Sequence, residues 1–288
     1  MRALTPQSRL RLRFFEEQPH MAELVRVMHR EDGREVFGLG DQAYPVVKLN
    51  ELWDRIYAAF PQLEEVHDRD LPVPSRVPAC ASTLRLVAHA WLDETACEWL
   101  LHLPKLQRLW CGFGFTSPKT PLTAAPLPFA LTELCVHAIY GYRTQFQELV
   151  KASSATLRSL DMSNWTALIT DFSAMPALER LTLAFDNVSM TPSLLQKSLP
   201  TLQHLKTLVI RPPWDRPAGP LDIISRPEIV SLLPRTLERI DCDDHRSGCD
   251  GNLDAEHSFQ LLSEDAAPAR TWCAERGVVW KAVPFMFS

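Results

Sequence analysis

Three groupings of side chains in this 288-residue chain have the types and spacing to do chemistry. Cys242, His245 and Cys249, with His257 beyond, supply the sulfur and nitrogen donors that a tetrahedral zinc site uses. Their spacing argues against one, because structural sites favour short paired knuckles and the intervening Asp243, Asp244 and Arg246 have the character of a solvated loop. Asp241, Asp243, Asp244 and Asp250 lack the glycine and glutamate at fixed offsets that a calcium loop requires. Cys135 and His137 project from the same face of one predicted strand as a nucleophile and a base would, yet no third group orients the histidine. Nine histidines and 35 acidic residues guarantee accidental pairs of this kind. There is no GxxxxGK[ST], GxGxxG or GxSxG motif, and 10 glycines against 23 prolines leave little material for phosphate-cradling loops. The expectation is a chain that is not an enzyme, with no catalytic, cofactor-binding or metal-binding residues.

Composition narrows the class. Hydrophobic residues make up 46% of the chain, ample for a folded interior. The net charge of -5, with 30 basic residues against 35 acidic, gives no broad basic field, so no nucleic-acid partner is expected. No apolar run approaches the roughly 20 residues of a membrane span. Met1 to Phe15 carries four arginines without an apolar signal core. The predicted location is therefore cytoplasmic or nuclear, with no membrane contact. Seven scattered cysteines fit buried, reduced thiols acting as small hydrophobes.

The elements come from a phrase that returns along the chain: leucine, two variable residues, an aliphatic, one variable residue, and a small or aliphatic residue. It begins at Leu106, Leu131, Leu157, Leu178, Leu205 and Leu237, with weaker copies at Leu63 and Leu84, at intervals of 21 to 32 residues. A period in the twenties with this spacing is the mark of leucine-rich repeats. Each phrase predicts a short strand with one buried side. Helix starts lie between them: Thr144-x-x-Gln147 and Ser225-x-x-Glu228 as capping boxes, Thr191 before Pro192, and Asp93 before the apolar run Ala96 to Leu103. The predicted fold is α/β, a single right-handed leucine-rich-repeat solenoid of about eight irregular repeats. Residues 1–60 form an N-terminal cap, 61–255 the repeats and 256–288 a C-terminal cap, in which Gly277 closes a helix ahead of Val278-Val279-Trp280.

The phrases Leu103-Pro104-Lys105-Leu106 and Leu199-Pro200-Thr201-Leu202, with the opening QPHMAELVRVMHR and the closing TWCAERGVVW, resemble the repeat region of fungal F-box and leucine-rich-repeat proteins. The resemblance covers the chain from about Leu10 onward. It implies the substrate-capturing half of a ubiquitin-ligase subunit. No F-box is visible, since only Met1 to Pro6 precede the segment that resembles the post-F-box stretch, so a cullin-ligase adaptor is an expected partner only where an F-box lies upstream.

A binding solenoid would present the outward side chains of its strands, and Trp110, Asp161 and Asp241 fall at such positions. Trp110 either anchors a partner or packs beneath the 115–128 loop. Trp91 and Phe113 lie nearby, and Arg180 is among the charged variable residues. The long segments 70–78, 115–128, 211–220 and 243–256 each follow a strand and would line one rim, which brings Arg211 and Trp214 to the candidate surface. The expected function is protein recognition on the outward face or this rim. The alternatives are a GTPase-activating or regulatory partner that inserts Arg211 or Arg216, and a free-standing scaffold without ubiquitin machinery.

Overall fold

Alternation at a period of two sets the second and third apolar residues of each phrase on one side of an extended chain. At every phrase a short parallel strand forms. The computed structural model describes residues 13–29, 54–67, 77–92, 94–113, 127–139, 143–162, 172–184, 192–211, 226–244 and 267–284. The chain divides into two α/β units, Met1–Leu131 with Tyr140–Gln145, and Thr132–Ile139 with Phe146–Ser288.

In the first unit β1 (Val27–His29), β2 (Glu65–His67), β3 (Leu86–Leu92) and β4 (Arg108–Phe113) lie side by side in chain order, all parallel. The second unit repeats the arrangement with β5 (Glu133–Ile139), β6 (Ser159–Met162), β7 (Arg180–Ala184), β8 (Thr207–Arg211), β9 (Arg239–Asp244) and β10 (Val279–Pro284). The eight phrases supply β2 to β9. The two remaining strands come from the segments predicted as caps.

Register sorts the side chains into rows. An inner row runs Val66, Val87, Leu109 in the first unit and Leu134, Leu160, Leu181, Leu208, Ile240 in the second, each at most 2% exposed. The leucines that open the phrases are buried with them, as are Cys111 and Cys242 at the third apolar position. Helices meet these rows with residues three and four apart, such as Ala96, Trp99 and Leu100 on Glu94–Leu100, and Phe146, Leu149 and Val150 on Arg143–Ser153.

Two helix ends carry instructive detail. The capping box at Ser225 does not set its helix: Arg226 is the cap, in an extended conformation, and Pro227 takes the first helical position. A proline there fixes its own φ and disfavours the helical region for its predecessor, so the boundary falls between the two. Gly277, at φ 68°, ends the helix Ala267–Arg276 as expected. The Val278 amide donates to the Cys273 carbonyl at 2.8 Å and the Gly277 amide to Ala274 at 3.4 Å, the double closure of a Schellman turn.

One hydrogen-bond device recurs at seven joints between neighbouring strands among the described residues. The residue just before a strand offers its carbonyl to two successive amides of the next strand's entrance. Arg26 takes Glu64 and Glu65, Glu64 takes Arg85 and Leu86, and Arg85 takes Gln107 and Arg108. In the second unit Thr132, Arg158, Glu179 and Lys206 do the same for 158–159, 179–180, 206–207 and 238–239, all at 2.7–3.1 Å. A carbonyl has two lone pairs, so one oxygen satisfies both donors. Threonine hydroxyls add to it: Thr83 donates to the Leu63 carbonyl and Thr236 to that of Leu205, each the opening leucine of the preceding phrase.

Leu160 and Leu181 are neighbours in the inner row and almost fully buried. Replacing either with alanine removes buried methyl groups and leaves a void, so each variant should lose about 2 to 5 kcal/mol of stability in urea denaturation. A loss under about 1 kcal/mol would mean that this row is not tightly packed.

Candidate functional site

The side of the strands opposite the leucines carries the polar chemistry. Its first outward row runs Val27, Glu65, Leu86, Arg108 in the first unit and Glu133, Ser159, Arg180, Thr207, Arg239, Val279 in the second. The second outward row holds His67, Ala88, Trp110 and, in the second unit, Cys135, Asp161, Thr182, Val209, Asp241, Lys281. Ahead of both, the residues that open the strands alternate in sign: Arg26–Glu64–Arg85 in one unit, Arg158–Glu179–Lys206 in the other. The Lys206 ammonium, hydrogen-bonded at 3.0 Å, holds the Glu179 carboxyl below its usual range, and Glu179 raises Lys206 in turn. These pairs are exposed and add little stability, but they favour one register over a slipped one.

In the first unit four side chains close over β3. Arg108 on β4 reaches past Leu86 to pair with Glu65 on β2, and Leu86, although it faces outward, is fully buried beneath. His67 donates from Nε2 to the other oxygen of Glu65 at 3.0 Å, and Trp110 meets the His67 ring edge to face at 5.9 Å, across Ala88. The hydrogen bond from His67, then the charge of Arg108, hold the Glu65 carboxyl below its ordinary value despite partial burial. Trp110 remains partly exposed at the margin of this cluster.

The second unit has the same device in the same sense, an arginine reaching back two strands to a carboxylate. Arg211, the last residue of β8, crosses β7 to meet Asp161 on β6 at 2.7 Å. The two side chains are 14% and 17% exposed. Burial pushes the Asp161 carboxyl up, and Arg211, then Arg180, only partly oppose it. Thr182, wholly buried on β7, stands close enough to favour the charge but outside hydrogen-bonding geometry. Two strands further, Asp241 accepts a hydrogen bond from Nε of Arg239 on its own strand. A carboxylate stripped of water needs a paired cation, and each arginine here answers one.

These placements alter several expectations. Asp241 does face away from the leucines, but it is 4% exposed, because Arg239 folds back over it. Asp161 is likewise committed to a partner within the chain. Arg211 was expected on an exposed loop and instead ends a strand, drawn over the sheet by the desolvated Asp161. Arg180 and Trp110 remain accessible among the expected residues. Trp91 lies within β3 and Phe113 ends β4, in register with Leu92. Trp214, Arg216, His245, Cys249 and His257 lie outside the described residues, as does most of each proposed rim segment. Cys135 sits on the second outward row, half-buried. Burial drives the Cys80 thiol to about 12 and that of Cys273 to about 11, which leaves both protonated and unreactive at neutral pH. Glu65, His67 and Arg108 were not singled out from the sequence. Their signal was the repeat register itself, which aligns positions 65 and 108 in one row.

No protein-family model and no curated protein matches this chain.

Glu65 binds its proton less readily in the folded chain than in the unfolded one. Its contribution to stability is therefore complete above the ordinary value of 4.5 and is lost as pH falls through the lowered folded value. In thermal melts between about pH 7 and about pH 3, the gap between wild type and Glu65→Gln should be largest at the upper end and shrink below 4.5. A constant gap across that range would mean that the pairing of Glu65 with His67 and Arg108 contributes nothing.

Proposed function

We propose that this chain is a non-enzymatic protein-recognition module, a right-handed leucine-rich-repeat solenoid whose outward strand face captures another protein. The observation that carries the reading is the pre-set outward face. Arg108 and Arg211 are each drawn across a strand onto a carboxylate, so the side chains around Trp110 and Arg180 are ordered before any partner arrives. Binding to an ordered surface loses less side-chain entropy, and a partly exposed tryptophan beside charged groups is the usual composition of an interface hot spot. In the specific form that the leucine phrases suggest, the captured protein is the substrate of a ubiquitin ligase. A GTPase-regulating arginine finds less support, because Arg211 is already engaged by Asp161.

A photo-crosslinking residue placed at Arg180 or Trp110, and as a control at the exposed Lys151 on the helix Arg143–Ser153, tests the reading in cell extract. An adduct from an outward site and none from Lys151 is the expected result. The substitution Trp110→Ala should weaken the full chain's binding of the captured protein by roughly tenfold or more, the scale of a hot-spot residue. Equal labelling from the helix side, or no adduct from the outward sites, would contradict it.

A further inference from the structure

The two terminal strands differ from all the strands between them. Along the first outward row, the residues of β2 to β9 are polar or, like Leu86, buried. By contrast, Val27 on β1 of the first unit is 45% exposed and Val279 on β10 of the second is 55% exposed. The inner row behaves in the same way at β10: Trp280 is only half-buried where the residues from Val66 to Ile240 are at most 2% exposed. Ahead of β1, Phe14, Met21 and Leu24 add exposures of 50%, 40% and 68%. Among the described residues, β1 pairs only with β2 and β10 only with β9, so each presents an open parallel edge. An open edge bordered by apolar side chains is a template for another strand.

We propose that the occupant of these edges is a second copy of this chain, docked head to tail, with β1 of one molecule extending the parallel ladder beyond β10 of the other. The device that joins neighbouring strands specifies the register. The carbonyl of Val278, the residue before β10, would accept the amides of Arg26 and Val27, as Arg26 itself accepts those of Glu64 and Glu65. Val27 then lies beside Val279, and Met28 beside Trp280. The helical segment 13–22 leads into β1 as the helix Ala267–Arg276 leads into β10, so Phe14, Met21 and Leu24 come against the neighbour's last helix. The two ends are unlike each other, which suits a heterologous contact rather than a two-fold one, and a heterologous contact leaves a further head and tail free. Assembly therefore continues with concentration.

Sedimentation equilibrium of the full chain, and of Val27→Asp and Val279→Asp, tests this. Wild type should gain mass past the dimer as concentration rises. Each variant alone should remain monomeric, with association weakened at least about tenfold, because a charge is buried in the contact. The equimolar mixture should form dimers and stop, since one variant keeps its tail and the other its head. Both sites are exposed, so unchanged melting temperatures confirm folding, and the milder Val27→Thr and Val279→Thr read out in the same direction. A wild-type monomer at every concentration, association unaffected by the substitutions, or variants that still dimerise alone would each overturn the proposal.

Discussion

At seven joints between neighbouring strands, among the described residues, one carbonyl oxygen accepts two consecutive amides of the next strand's entrance. The alignment of the strands it joins follows from that contact. It fixes register to a single residue, and in a sheet with a side-chain period of two a slip by one residue would exchange the leucine face for the polar one. It also leaves no orphaned donor where a turn becomes a strand, a place at which an unpaired buried amide would cost as much as a lost hydrogen bond. The alternating charges of Arg26–Glu64–Arg85 and Arg158–Glu179–Lys206 lie on the same residues. Backbone and side chains thus enforce one alignment twice.

With register set, the outward face becomes a lattice in which positions two strands apart can be bridged. Strands spaced ~4.8 Å apart place such positions almost 10 Å from each other, within the reach of an arginine. Arg108 and Arg211 use that reach, and each passes over an intervening strand, burying Leu86 in one unit and lying beside Thr182 in the other. The two clusters differ in electrostatic character. Glu65 is shared by two donors and holds its charge easily, whereas Asp161 is desolvated and relies chiefly on Arg211. Removing Arg211 would strand a buried carboxylate, and removing Arg108 would leave His67 on Glu65.

The strands were legible in the sequence because leucine spacing reports burial directly. The phrases at Leu63 to Leu237 mark β2 to β9, and the glycine at 277 marks the end of the last helix. The outward face was legible only in position. Asp161 and Asp241 were assigned to the correct side, but their burial depends on arginines at 211 and 239, and the Arg211–Asp161 pair spans two phrases rather than one. The same holds for Glu65 and Arg108, 43 residues apart. Sequence periodicity relates adjacent repeats, while a long side chain relates next-nearest ones. The alternation of sign in the residues that open the strands was visible in the sequence, and without the register it reads as a mixed polar surface.

Amide hydrogen exchange at single-residue resolution tests the paired-amide device most directly. Both members of each pair donate to the same carbonyl, so Glu64 with Glu65, Glu179 with Arg180, and Lys206 with Thr207 should be protected together and exchange at similar rates. Fast exchange of the first member of each pair, with protection confined to the residue inside the strand, would contradict the account.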